Sequence, residues 1–244
     1  MYLGYGWRAK IAQLYPSGGQ CDFEPQLMAP EGVQFLTTRL TFRKSGLEDD
    51  HALVRDLEQH ARLGADPGVD LIVLNCTAAS AVVGPDVINA RILAATGVRS
   101  TTTFEAVLAA LRAAGLKRIA LMTAYVEEVN AAEIAILGRE GFEVVACGGI
   151  ACTNPLDQGA IDPGRWHEEA MKLADVEADG LLISCAGIRI SPVLERIEAA
   201  WGRPVIASNQ ALVWHCLKML DIDERYEGCG SLLAGRFEAV PAKA

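Results

Sequence analysis

The sequence predicts an α/β fold built on parallel sheets, and two observations predict it. Short, continuously apolar runs alternate with longer amphipathic ones, the pattern of strands buried on both faces and separated by covering helices. A strand–cysteine–helix unit also occurs twice, the two cysteines standing 109 positions apart, close to half the chain.

In chain order the strand-like runs are Lys10–Tyr15, Val33–Leu40, Val69–Asn75, Arg118–Thr123, Phe142–Cys147, Gly180–Ser184 and Pro204–Ala207. Helical patterns lie between them at about 48–64, 86–95, 103–114, 126–140, 165–175, 192–200 and 209–219. In the first of these, Leu53, Val54, Leu57 and Ala61 recur at helical spacing and charged residues fill the other face. The repeat aligns Val69-Asp-Leu-Ile-Val-Leu-Asn-Cys76 with Ala178-Asp-Gly-Leu-Leu-Ile-Ser-Cys185. Each copy continues as a small residue, a helix and then a glycine, Gly97 or Gly202. A duplicated lobe explains the spacing. It predicts a first lobe of 1–100 plus about 209–244 and a second of 101–208.

Composition narrows the function classes. The 244 residues are 51% hydrophobic and 22% charged, the balance of a globular chain rather than a disordered one. With 22 basic against 31 acidic residues and no Lys/Arg run, the net charge of −9 argues against nucleic acid as a partner. A membrane span needs about 18–20 consecutive apolar residues, and none is present. Met1 to Lys10 has no secretory pattern. Seven scattered cysteines predict reduced thiols, hence a cytoplasmic protein.

In doubly wound folds ligands bind at the carboxyl ends of strands. Cys76 and Cys185 both stand there, each before a small residue and a helix start. A thiolate at a helix N-terminus is stabilised by free N–H groups, so a lowered pKa is expected for both. One thiolate and one thiol facing each other across a cleft make a base–acid or nucleophile–acid pair. The bland alternative is that both are small buried core residues. Cys21, Cys147, Cys152, Cys216 and Cys229 lack this placement. The histidines His51, His60, His167 and His215 form no short-spaced pair, so no metal site is expected. Gly4-Tyr-Gly-Trp-Arg-Ala9 precedes the first strand instead of following it, so it is not a dinucleotide fingerprint.

Other strand ends add candidates. Tyr15-Pro-Ser-Gly-Gly19 could form an anion-binding nest of backbone N–H groups. Thr77 adds a donor beside Cys76, Tyr125 follows the strand that opens the second lobe, and Asn154 lies in a Thr-Asn-Pro turn.

These residues resemble the aspartate/glutamate racemase superfamily, in its maleate cis–trans isomerase and arylmalonate decarboxylase branch. The likeness covers nearly the whole chain. It rests on Pro16-Ser17, Cys76-Thr77, Thr123-Ala-Tyr125, Asn154 with Gly159 and Pro163, and Ser184-Cys185-Ala-Gly187. The resemblance implies two Rossmann-like lobes related by a pseudo-twofold axis, an active site in the cleft between them, no cofactor, no metal, and a homodimer. It implies catalytic roles for Cys76 as nucleophile and Cys185 as proton donor, through a succinyl-thioether intermediate. It also implies substrate binding by Thr77, Tyr125 and Asn154; with the nest segment and the residues beside the cysteines, the candidate substrate-binding set is Ser17, Gly18, Gly19, Thr77, Ala78, Tyr125, Asn154 and Ala186.

Two departures matter. The decarboxylase branch has glycine where this chain has Cys76. In the maleate isomerases the Pro-Ser segment continues to an asparagine that binds a carboxylate; here it reads Gly18-Gly19. The resulting expectation is a cofactor-independent two-cysteine isomerase or racemase of a small carboxylic or dicarboxylic acid. Decarboxylation of a substituted malonate is the alternative, and a non-catalytic small-molecule binding protein is the reading from another class.

Overall fold

The structure, a computed structural model, describes residues 4–237. The ends of the range assigned to the first lobe, 1–3 and 238–244, lie outside the described residues.

The first half of the chain supplies strands β1 (Ala9–Pro16), β2 (Val33–Leu40), β3 (Leu71–Leu74) and β4 (Ser100–Thr102). Its helices are α1 (Glu24–Leu27), α2 (Leu47–Leu53), α3 (Leu57–Ala65), α4 (Thr77–Val83), α5 (Pro85–Thr96) and α6 (Thr103–Ala113). The second half supplies β5 (Arg118–Thr123), β6 (Glu143–Gly149), β7 (Gly180–Ser184) and β8 (Val205–Ala207). With them come α7 (Glu127–Arg139), α8 (Pro155–Ala160), α9 (Pro163–Lys172), α10 (Leu194–Trp201) and α11 (Ser208–Met219).

The strands form two parallel four-stranded sheets, in the orders β2-β1-β3-β4 and β6-β5-β7-β8. The orders are equivalent strand for strand, so the two Rossmann-like halves repeat one topology. The repeat extends to side chains. Asp70 accepts from the Lys10 N–H at 2.8 Å, and Asp179 accepts from the Arg118 N–H at 2.7 Å, each fastening the start of its sheet's central strand. Gly97 and Gly202 end α5 and α10 in the left-handed conformation, at φ 71° and 64°, where a side chain would be strained.

Alternation along the strands divides the core. Ile11, Leu71 and Val73 face one way and join Ile119, Leu121, Leu182 and Ile206 of the other sheet, with α6 and α11 packed among them. Ala12, Leu14, Ile72 and Leu74 face the opposite way, onto α3 and α5. The shared cluster joins the halves through an apolar interior rather than a linker.

Three local features differ from the sequence expectation. The strand β4 is polar, Ser-Thr-Thr, so it carries no apolar run. The helix expected at 48–64 breaks at Val54 and Asp56, which leave helical geometry, and α2 turns to lie against α4. The pattern near 86–95 extends back to α4 through a 94° bend at Gly84, where φ is 95°. Among the described residues no single helix is long and apolar enough to cross a membrane.

Candidate active site

Cys76 follows β3 by two residues and is the extended N-cap of α4, with φ −150°. Cys185 follows β7 directly. Because β3 and β7 hold the same place in equivalent sheets, their carboxyl ends bring both thiols to one cavity, which encloses about 430 Å³ of empty space including its mouth. Gly19, Thr77, Ala78, Tyr125 and Ala186, all expected at the site, line it with the two cysteines.

Ser17, Gly18 and Asn154 do not line it. The Ser17 hydroxyl accepts from the Phe42 N–H at 3.0 Å, binding the end of β1 to the chain beyond β2. The expected anion nest is absent because its donors are already used: Ser17, Gly18 and Gly19 N–H groups go to the carbonyls of Leu40, Phe42 and Pro16 at 2.7, 2.9 and 3.0 Å. Asn154 caps α8, accepting from the Asp157 N–H at 2.9 Å and donating to its carboxylate at 2.6 Å. It thereby positions the helix whose Pro155 and Gln158 reach the cavity.

The thiols themselves are buried, with Cys76 8% and Cys185 4% exposed. Their electrostatics reverse the expectation of lowered pKa values. Burial pushes Cys76 well above the usual thiol value, with the nearby Asp50 carboxyl adding to the rise; the N–H groups of Ala79 and Ala78 only partly oppose this. Burial pushes Cys185 up to about 12, against hydrogen bonds from the Gly187 N–H and the Tyr125 hydroxyl. Desolvation outweighs the local donors. The Cys185 thiol donates to Gln158 Oε1 at 3.8 Å and accepts from the Gly187 N–H at 3.2 Å, so its proton has an acceptor and its sulfur a backbone donor.

Several cavity residues escaped the sequence reading. The Tyr15 hydroxyl donates to the Ala186 carbonyl at 3.3 Å and accepts from the Cys21 N–H at 3.2 Å. Asn75 donates to Asn209 Oδ1 at 3.2 Å, and Asn209 donates to the same Ala186 carbonyl at 3.1 Å. These bonds lock the two cysteine-bearing turns together. Asp50 is buried, lines the cavity, and is pushed up to about 7 by burial, then by Asp49 and Glu128. Behind Cys185, buried Glu133 bonds to the Ser184 hydroxyl, and burial pushes it up to about 7. Asn75, directly before Cys76, had a visible signal: a polar residue inside an apolar run. Asp50 lies within a charged helical stretch and had none. Among the described residues no group of three or more His, Cys, Asp or Glu side chains is placed to hold a metal ion.

A family model described as arylmalonate decarboxylase matches residues 13–233. The arylmalonate decarboxylase of Bordetella bronchiseptica is 27% identical over 209 residues, 84% of this chain and 87% of the relative. The maleate isomerase of Nocardia farcinica is 29% identical over 211 residues, 82% of this chain and 83% of the relative. A solved structure of a Nocardia farcinica maleate cis–trans isomerase mutant, with a covalently bound succinylcysteine intermediate, superposes with a TM-score of 0.86. That match covers 93% of this chain and 98% of the other at 22% identity, a likeness of fold.

Proposed function

The chain belongs to the arylmalonate decarboxylase family, and we propose that within it this enzyme is a cofactor-independent two-cysteine isomerase of a small carboxylic acid. The observation that carries the reading is the placement of Cys76 and Cys185 at equivalent strand ends on one cavity. A cysteine-bound succinyl intermediate in the Nocardia farcinica relative supports the same chemistry here.

The working state holds one thiolate and one thiol. The Cys76 thiolate adds to one carbon of a cis double bond conjugated to a carboxylate. A C–S bond forms, and the electron pair passes to the neighbouring carbon as an enediolate. The Cys185 thiol gives that carbon its proton and becomes a thiolate beside the Gly187 N–H. With the double bond now single, the substrate rotates. Cys185 then removes the proton, the C–S bond breaks, and the trans acid leaves with the Cys76 thiolate and the Cys185 thiol restored. Donors fixed around the developing enediolate lower the barrier because they need no rearrangement as charge forms. Racemisation uses the same pair, one thiolate removing an α-proton and the opposite thiol returning one.

Decarboxylation is the second reading, since relatives of this family carry that name. It requires the Cys185 proton alone. The test is turnover in single variants: Cys76→Ser and Cys185→Ser each lose isomerisation by about 1,000-fold or more. An active Cys76→Gly protein releasing carbon dioxide from phenylmalonate supports the decarboxylase instead.

A further inference from the structure

Among the described residues every ionisable side chain on the cavity wall is an acid, namely Asp50, the two cysteines, Tyr15 and Tyr125, and no Lys, Arg or His lines it. Asp50 stands out. It is 2% exposed, and among the described residues nothing donates a hydrogen bond to its carboxyl or forms an ion pair with it. Charged and titratable groups facing it are of the same sign: Asp49 on α2 itself, Glu128 and Glu133 from α7, and Cys76 beside α4. Buried carboxyls normally have a partner, because stripping water from an unpaired acceptor is costly. An unpartnered one on a cavity wall is poised for a partner that arrives with the ligand.

We propose that Asp50 receives the substrate's second head group and selects one that donates hydrogen bonds, a carboxamide or an ammonium, over a second carboxylate. The inference rests on the small-acid reading above and names its substrate class. A single carboxylate is accommodated by neutral groups elsewhere on the wall. Ser45, for example, accepts from Gln158 Nε2 at 3.3 Å, which leaves its own hydroxyl proton available to a ligand. Once Asp50 is ionised, above about pH 7, a second carboxylate would sit against it with no cation among the described wall residues to offset either charge. A donating head group instead supplies the bond that Asp50 lacks, and an ammonium also balances its charge.

Three saturated acids of similar length, which cannot be isomerised, separate the possibilities: succinate, succinamate and β-alanine. Their dissociation constants are measured by calorimetry on the full chain and on Asp50→Asn at about pH 8.5, where β-alanine keeps its ammonium. The wild-type protein binds succinamate or β-alanine about 10-fold or more tighter than succinate, and the substitution shrinks that preference by a similar factor. Which of the two binds tighter distinguishes carboxamide from ammonium. Tightest binding of succinate, or a preference unchanged by the substitution, overturns the proposal. Asp50→Ser repeats the comparison if the Asn variant does not melt cooperatively. Because binding is read without turnover, failure here leaves the two-cysteine reading standing, and loss of that reading leaves this one measurable.

Discussion

The Thr77 hydroxyl donates to Ser208 Oγ at 2.9 Å, and Ser208 Oγ lies 3.5 Å from the Ile183 carbonyl on β7. Thr77 follows Cys76, and Ile183 precedes Cys185 by two positions. The short chain of atoms therefore spans the two cysteine-bearing strands and sets one thiol against the other. Thr77→Val keeps the shape and removes the bond. A loss of about 0.5–1.5 kcal/mol in urea unfolding is expected, with a larger proportional loss of kcat than of substrate affinity.

Gly19 is needed for a steric reason. A Cβ there would lie 2.6 Å from Tyr15 Cε1 and 2.8 Å from its hydroxyl. The Tyr15 ring is buried and its hydroxyl holds the Ala186 carbonyl, so it cannot swing aside without releasing the turn after Cys185. Gly19→Ala is expected to cost roughly 1–3 kcal/mol and to lower activity; Gly68→Ala, at an open position with φ 65°, pays only backbone strain and keeps activity. Thermal melts and initial rates check both.

Burial of the thiols predicts an alkaline pH profile. Cys185 is held up to about 12 and Cys76 well above its ordinary value, so the thiolate–thiol state becomes more populated as pH rises through the alkaline range. In the unliganded protein at pH 7, iodoacetamide should modify exposed Cys147 before either cavity cysteine. Labelling of Cys76 and Cys185 should accelerate with pH. Fast labelling of either at neutral pH, read by mass spectrometry, would contradict the dominance of burial.

Stability should carry the opposite sign to that of an ion-paired carboxylate. Glu133 is raised by burial from 4.5 to about 7. Below about pH 4.5 both folded and unfolded forms hold the proton; between 4.5 and 7 only the folded form does. Its contribution is therefore fully present at low pH, declines as pH rises to about 7, and stays diminished above. Glu133→Gln keeps an oxygen for the Ser184 hydroxyl and removes the titration. It should narrow the difference in unfolding free energy between pH 5 and pH 8 by an amount on the order of 2–3 kcal/mol. An unchanged difference would place the Glu133 pKa near its ordinary value.

The α/β class, the repeat and the cysteine pair were legible because each leaves a local trace: an apolar run, a matched octapeptide, a thiol at its end. β4 was not, since Ser-Thr-Thr owes its strand geometry to pairing with Ile72, Val73 and Leu74 rather than to its own apolarity. Asn154 and Ser17 stand near the cavity in sequence terms, yet their side chains are consumed by a helix cap and a loop bond. Asp50 was hidden for the converse reason. It sits in an acidic stretch that looks solvent-facing, and only the break between α2 and α3 turns it inward. The thiol pKa direction also required coordinates, because helix-terminus donors and desolvation act in opposite senses and only depth decides between them.

In the two-cysteine mechanism Cys76 attacks carbon while Cys185 moves the proton. Its most direct test is intact-mass and peptide analysis of the Cys185→Ser protein after incubation with maleate or maleamate. A gain equal to the mass of the unsaturated acid is expected, carried on Cys76 and absent from Cys76→Ser. No adduct on Cys76, together with turnover in both single variants, would contradict it.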